Sequence, residues 1–249
     1  MIANYHTHTR WCNHGTGEIE DYIKVAIEAG LKEIAITEHV PRKDNRDPSR
    51  MRWEEFEAYN KELDAAIEKY KSQIKVIKGF ECEYYPTDMK QYERFRDVYG
   101  YKIFVLGQHT NKARTIDNFE PKNKEALACY ADEVCEGLET GLFTFVAHPD
   151  LVLQGYNQGK WDEHCEKVMR QIFATCERLN IPVELNANGL RSRRRYPDMD
   201  AWKLSKEYNL RYLINSDAHR PEFLYDDAVR ELEARAQYLG IEITSVLGL

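Results

Sequence analysis

Short apolar runs alternate with amphipathic segments along almost the whole chain. Seven of these runs have the length and the β-branched or aliphatic character of strands, and they lie near residues 2–6, 33–37, 74–82, 102–107, 143–147, 182–187 and 211–215. Runs that are apolar at successive positions are typical of strands buried on both faces of a parallel sheet. The pattern therefore predicts seven buried strands.

The segments between these runs carry apolar residues at helical spacing. Ile19, Tyr22, Ile23 and Ala26 recur three and four positions apart, and Gly30 provides a stop for that helix. Similar spacing predicts helices before Gly141 and over 161–176, one that begins at Pro197 and ends near 209, and a last one over about 225–240. A succession of about seven β-α units predicts an α/β fold, either a barrel or a doubly wound sheet.

Length and composition narrow the class of protein. A chain of 249 residues fits one large α/β domain as well as two small ones, and with no linker or low-complexity stretch we expect a single domain over 1–249. No apolar run approaches the roughly 20 residues that span a bilayer, and the first residues lack a signal-peptide pattern. We therefore expect a cytoplasmic protein without a membrane partner, in which the six cysteines are reduced.

The charge balance bears on the ligand. The formal net charge of −7 lacks the basic excess of a nucleic-acid-binding protein, so we expect a small-molecule partner and no nucleic acid. An anionic substrate would need bound metal ions as a local source of positive charge. One long polar segment, 40–55, is nevertheless rich in arginine and has the character of a lid over a site.

Seven of the eight histidines lie at or just beyond the end of a predicted strand. They are His6, His8, His14, His39, His109, His148 and His219, and only His164 lies inside a helix. Carboxylates occur at the same ends: Glu38, Glu81, Glu83, Asp150, Glu184 and Asp217. Taken singly, each histidine is also explained as a core or surface residue. Their recurrence at the edge where barrel enzymes carry their active sites indicates a site for zinc, iron or manganese.

The motifs around these histidines occur in a recognisable order. They are Tyr5-His6-Thr7-His8, Cys12-Asn13-His14-Gly15, Thr37-Glu38-His39, Gly79-Phe80-Glu81, Gln108-His109, Ala147-His148-Pro149 and Ser216-Asp217-Ala218-His219. With them the chain resembles the polymerase and histidinol phosphatase (PHP) family over nearly its whole length. The resemblance implies a distorted seven-stranded (β/α)7 barrel, similar to a TIM barrel, with a metal site at the carboxyl ends of its strands.

The resemblance also implies how the metal ligands are shared. About three divalent ions, whether zinc, iron or manganese, are expected: one at His6, His8, Glu81 and Asp217, a second at Glu81, His109 and His148, and a third at His14, His39 and His219. Glu81 is the implied bridging carboxylate, and both Glu81 and Asp217 are expected to be catalytic.

The stretch Glu184–Arg191 with Tyr196-Pro197 looks closest to the histidinol-phosphate phosphatase branch. This implies hydrolysis of L-histidinol phosphate, in histidine biosynthesis, by attack of a metal-bridging hydroxide. Arg191 is the implied catalytic grip on the phosphate, and the other candidates for substrate binding are Arg193, Arg42 and Arg220. The proton donor to the leaving group stays open between Asp150 and Glu184. Three alternatives also remain: a phosphatase for another small phosphorylated metabolite, a phosphodiesterase or exonuclease, and a metal-binding domain without turnover.

Overall fold

Seven parallel strands form one sheet in the computed structural model, which describes residues 1–249. The strands are β1 (Ala3–Asn4), β2 (Glu33–Ile36), β3 (Lys75–Cys82), β4 (Ile103–Leu106), β5 (Phe145–Val146), β6 (Val183–Asn186) and β7 (Tyr212–Asn215). Each strand pairs with its neighbours in chain order, from β1 to β7. All seven predicted strands are present, and each is shorter than predicted by at least one residue.

The two outermost strands meet just beyond their carboxyl ends. Thr7 and Ala218 form a parallel bridge, and the backbone N–H of His8 donates to the carbonyl of Ala218 at 2.8 Å. The sheet thus closes into a nearly complete barrel, and the predicted distorted (β/α)7 barrel is confirmed. The doubly wound alternative is excluded because the strand order never reverses.

Eight helices surround or cap the barrel. They are α1 (Ile19–Glu28), α2 (Phe56–Tyr70), α3 (Met89–Tyr99), α4 (Lys124–Glu139), α5 (Glu163–Leu179), α6 (Ala187–Arg191), α7 (Met199–Ser205) and α8 (Asp227–Leu239). The predicted start at Pro197 is wrong by two residues. Asp198 lies between Pro197 and α7, and its side chain accepts from the N–H groups of Asp200 and Ala201. Asp198 is therefore the N-cap residue, and the first helical residue is Met199. None of the helices is long and apolar enough to cross a membrane.

The core has two layers, one outside and one inside the barrel. The outer layer of 54 buried residues lies between the strands and the helices. The inner layer has only nine buried residues, among them Ile77 of β3 and Val105 of β4. Because side chains alternate along a strand, the same inward row of β3 continues to Glu81. The apolar filling of the barrel therefore ends at Glu81, near the carboxyl ends of the strands.

The segment 40–55 is polar as predicted but well ordered internally. Arg42 and Arg52 form a parallel bridge, the side chain of Asn45 accepts from the Trp53 N–H at 2.8 Å, and a 3-10 turn covers Trp53–Glu55. Four other 3-10 turns lie at Arg10–Cys12, Leu151–Leu153, Asn157–Gly159 and Pro221–Phe223. The segment covers one side of the barrel mouth, and its role as a lid stays a prediction.

Candidate metal centre

The nine predicted metal ligands gather at the carboxyl ends of the strands. Seven of them line a cavity of about 820 Å³, namely His14, His39, Glu81, His109, His148, Asp217 and His219. His6 and His8 lie beneath it and are fully buried. The sequence separation between the first and last of these residues exceeds 200 positions, so only barrel closure brings them together.

Glu81 lies at the centre of the cluster, and each of its oxygens faces a different group of imidazoles. Its Oε2 lies 3.0 Å from His39 Nδ1, 3.3 Å from His8 Nε2 and 3.4 Å from His6 Nε2. Its Oε1 lies 3.2 Å from the Nε2 atoms of both His109 and His148. One carboxylate thus lies between two sets of imidazoles, which is the position that the predicted bridging ligand requires.

Asp217 completes the deepest part of the cluster. Its Oδ1 lies 3.4 Å from His8 Nε2 and 3.7 Å from His6 Nε2, so two imidazoles and two carboxylates converge on one point. The amide groups of Asn186 and Asn188 donate to its other oxygen, Oδ2, at 3.1 and 3.3 Å. These amides hold the carboxylate with Oδ1 turned toward the imidazoles.

Carboxylates behind the cluster orient two of the imidazoles. His6 Nδ1 donates to Glu184 at 2.8 Å, and His109 Nδ1 donates to Glu83 at 3.0 Å. In both rings this leaves Nε2 facing Glu81. An acceptor on one ring nitrogen fixes the tautomer and aims the other nitrogen, which is the usual arrangement of histidines that bind metals.

Backbone carbonyls orient two further imidazoles in the same way. His14 Nδ1 lies 2.8 Å from the carbonyl of Cys12 and 3.0 Å from that of Ser49, while His219 Nδ1 lies 3.1 Å from the carbonyl of Asp217. The ring centroids of His14 and His219 are 4.5 Å apart. The structure thus brings these two rings together as the third predicted ligand set requires.

The third set is not separate from its neighbours. The ring of His39, its remaining member, stacks on that of His8 at 4.4 Å, and His8 stacks at the same distance on His219. The Sγ atom of Cys12 also lies near ring nitrogens of His14 and His219. The division of the nine ligands among three ions therefore stays a prediction.

Unpaired nitrogens test whether this cluster fits a metal. The nitrogens that face Glu81 in three of the rings are buried and have no hydrogen-bond partner: Nε2 of His6, Nε2 of His8 and Nδ1 of His39. Each such atom costs roughly 1–3 kcal/mol if nothing satisfies it, and nearly all buried polar groups in proteins are satisfied. Divalent cations bind these donors, so the residues present fit a metal cluster.

The electrostatics of the cluster favour added positive charge. Burial opposes the charge on Glu81, yet the imidazoles of His109 and His6 hold its pKa well below the usual range. Burial likewise opposes protonation of His109, but Glu81 outweighs it and raises the His109 pKa to about 10. For His219, burial and the neighbouring His8 lower the pKa to about 3. Divalent cations neutralise such carboxylates while binding imidazoles in their neutral form.

Two of the ligands occupy unfavourable backbone conformations. His148 and Asp217 have φ angles of 29° and 45°, in the left-handed region that residues with a side chain rarely adopt. Strain of this kind concentrates at functional sites, where the surrounding structure enforces it. Here it turns the chain sharply after β5 and β7, and both side chains then face the cavity.

Neither Arg191 nor Arg193 lines the cavity, contrary to the expectation that both bind the substrate. Arg191 ends α6, and its guanidinium pairs with both oxygens of Asp226, at 2.7 and 3.0 Å, and also donates to the carbonyls of Ser216 and Phe223. Four of its five N–H donors are thus already used. Arg193 is exposed, with a φ angle of 54°.

Arg191→Lys should therefore destabilise the fold rather than weaken substrate binding. Lysine cannot reproduce the fork that joins α6 to the start of α8, and charge-assisted bonds of this kind contribute about 1–3 kcal/mol. We expect the free energy of unfolding in urea to fall by about that amount, with KM unchanged. Arg193→Lys is the control and should change neither. A large rise in KM at unchanged stability would contradict this prediction.

The other two predicted arginines, Arg42 and Arg220, do line the cavity, and sequence reasoning missed Arg46, Arg50, Arg114 and Arg194, which line it as well. Arg42 is buried and paired with Asp88. The guanidinium of Arg194 lies 4.9 Å above the ring of Phe119, and that of Arg220 lies 5.7 Å from Phe223. Neither Arg194 nor Arg220 has an ion-pair partner, so both are free to bind an anion at the mouth.

The two candidates for proton donor are both occupied elsewhere. Asp150 accepts from the Asp198 N–H at 2.5 Å and from the Trp202 indole N–H at 3.0 Å, and it does not line the cavity. Glu184 lies beneath the cluster, where it accepts from His6 and from the His148 backbone N–H at 3.0 Å. Both carboxylates hold neighbouring residues of the site in position, and neither faces the cavity where a leaving group would lie.

Similarity to known proteins agrees with this geometry. The profile of the PHP domain family matches residues 4–188. A Deinococcus radiodurans protein named "Probable histidinol-phosphatase" is 26% identical over 244 residues, covering 93% of this chain and 92% of that protein. The histidinol-phosphatase of Bacillus subtilis is 29% identical over 249 residues, covering 86% and 92% respectively.

Solved structures show the same architecture. The Lactococcus lactis histidinol phosphate phosphatase, solved in complex with zinc, L-histidinol and phosphate, matches with a TM-score of 0.75 at 16% identity, over 97% of this chain and 95% of that one. At 16% sequence identity, this match shows that the two proteins share the fold and shows nothing further. The family profile covers well over half of the chain, in the region that supplies most of the ligand cluster, and the chain belongs to the PHP domain family.

Proposed function

We propose that this chain is a metal-dependent phosphatase that hydrolyses a small phosphate monoester, with L-histidinol phosphate as the first substrate to test. The observation that carries the proposal is the position of Glu81, whose two oxygens face separate groups of imidazoles at 3.0–3.4 Å. The names of two relatives and the ligands of the Lactococcus lactis enzyme support this choice of substrate. A cavity of about 820 Å³ is of the size that holds a small metabolite.

In this proposal the nine ligands hold about three divalent ions, with Glu81 shared between two of them. Ions held there would supply Lewis acidity toward the phosphoryl oxygens and an activated water. The contribution of the chain is orientation: Glu184, Glu83 and three backbone carbonyls aim imidazole nitrogens inward, so that little reorganisation is needed on binding.

The wall of the cavity would bind the parts of the substrate that the ions leave free. Arg194 and Arg220 lack carboxylate partners and can donate in parallel to phosphate oxygens, which suits a guanidinium better than an ammonium. Phe119 stacks on the ring of His109, with 5.6 Å between centroids, and holds Arg194 above the site. Arg191 has no part in this arrangement, because four of its five donors are committed to Asp226 and to two backbone carbonyls.

The test is a substrate panel on metal-loaded protein. Protein purified without chelator should carry two to three metal equivalents by elemental analysis. It should hydrolyse phosphate monoesters, including L-histidinol phosphate, much faster than the matching diester of the same dye alcohol. Preference for the diester would favour the phosphodiesterase alternative, and hydrolysis of other monoesters alone would point to a different metabolite. Full activity in metal-free protein would exclude the proposal.

A further inference from the structure

The side chain of Arg50 combines deep burial with an unused donor at the wall of the cavity. Only 6% of the residue is exposed, although it comes from the polar segment 40–55. Its Nε donates to Asp47 Oδ2 at 2.8 Å, and its Nη2 donates to Glu83. The third nitrogen, Nη1, is buried and has no partner. A buried charged donor without a hydrogen-bond partner destabilises the fold unless a ligand accepts its hydrogen bond.

The two acceptors of Arg50 are themselves held in place. Asp47 accepts from both the backbone N–H and the hydroxyl of Ser49, at 2.9 and 2.5 Å. The Glu83 oxygen that binds Arg50 also accepts from His109, whose other nitrogen faces Glu81. The guanidinium is thereby fixed on two edges and joined to the metal cluster through two hydrogen bonds. Its orientation is therefore fixed before an anion binds.

The other buried arginine of the cavity wall is less available. Arg42 Nη2 is also buried without a hydrogen bond, but it lies beside Asp88 Oδ2, and the guanidinium lies 4.2 Å above the ring of Tyr85. Arg114, which is more exposed, pairs with Asp44 at 2.8 Å. Arg50 also belongs to the part of the segment that is attached to the site, because the Ser49 carbonyl accepts from His14.

We propose that Arg50 is a substrate-binding residue whose Nη1 donates to an anionic oxygen of the bound phosphate, while Asp47 and Glu83 hold the guanidinium in position. The proposal rests on the proposed phosphatase function for the identity of the anion. It also changes the interpretation of segment 40–55: residues 47–50 act as a fixed wall of the site rather than as a moving lid.

The first test is Arg50→Lys in metal-loaded protein, with Arg52→Lys as the matched control. Arg52 lies in the same segment, is largely exposed and does not line the cavity. Lysine keeps the charge but cannot serve Asp47, Glu83 and a phosphate together. We expect the Kd for inorganic phosphate, measured by calorimetry, and the KM for a monoester to rise about tenfold to a hundredfold. Metal content at saturating metal should stay unchanged, and the control should match the unmodified protein.

A second variant, Asp47→Asn, keeps the test decisive if Arg50→Lys folds poorly. This substitution weakens one of the two contacts that hold Arg50 but leaves the guanidinium in place. The Kd for phosphate should therefore also rise, by a smaller factor than in Arg50→Lys. A phosphate Kd within twofold of the unmodified protein in either folded variant, with a lower Tm alone, would overturn the proposal and leave Arg50 as a structural tie. If phosphate binding weakens as expected but no monoester is hydrolysed, the Arg50 site stands and the phosphatase proposal fails.

Discussion

Replacing Glu81 by alanine should release most of the bound metal and nearly abolish turnover. Both oxygens of this side chain face imidazoles, so its loss affects every ion that contacts either oxygen. Groups that merely orient a metal-binding histidine already contribute about tenfold to a hundredfold in affinity or activity, so a shared ligand should exceed that. We expect kcat/KM to fall by more than about a hundredfold, with elemental analysis showing at most about one remaining equivalent.

His14→Ala is the matched comparison for this variant. His14 lies at the outer edge of the cluster, where its ring is 4.5 Å from that of His219 and 5.4 Å from that of His39. Its removal should cost no more than one equivalent of metal and leave the ions near Glu81 in place. Similar and mild losses in the two variants would show that Glu81 does not bridge, and the ligand partition would have to be redrawn.

The fold was predictable because its signal is repeated and local. Strands buried on both faces must be apolar at successive positions, so runs such as Ile103–Leu106 stand out in the sequence without any knowledge of the barrel. Positions just beyond these runs meet at one edge in any parallel barrel. Histidines at those positions therefore indicated, from the sequence alone, which side chains would gather at this edge.

The direction of the Arg191 side chain could not be predicted in this way. Its position beyond a strand end indicated a side chain in the mouth of the barrel, but residues 187–191 form the short helix α6, which ends at Arg191. The side chain meets Asp226, whose other interaction caps α8 by accepting from the Val229 N–H. A partner 35 residues away on another element leaves no mark in local spacing, so the sequence could not distinguish a structural arginine from a substrate ligand.

The role of Gly107 is a second feature that the sequence pattern does not indicate. It lies 26 residues after Glu81 and follows β4, whose Val105 is in register with Glu81. A Cβ atom placed on Gly107 would lie only 2.2 Å from Glu81 Oε1 and 2.9 Å from its Cδ. The absence of a side chain here makes room for the carboxylate at the centre of the cluster.

Gly107→Ala should consequently disable the metal centre while leaving the fold largely intact. The backbone cannot retreat easily, because the Gly107 N–H donates to the carbonyl of Cys82 at 3.0 Å. The carboxylate must move instead, and this takes Oε1 away from His109 and His148. We expect the Tm of metal-free protein to change by a few degrees at most. The rise in Tm that metal gives the unmodified protein should be mostly lost, together with more than about tenfold of the activity.

Glu81→Asp in the Gly107→Ala background separates this cause from a general packing defect. Aspartate is one methylene shorter, so its carboxylate is withdrawn from the new methyl group. If the collision is the cause, metal content should recover partly in the double variant, and the two substitutions should show a favourable coupling because they act on neighbouring atoms. If Gly107→Ala instead lowers the Tm of metal-free and metal-loaded protein equally, with metal content unchanged, the glycine serves only the packing of the barrel. The position of Glu81 would then be set by its five imidazole neighbours and not by the space beside it.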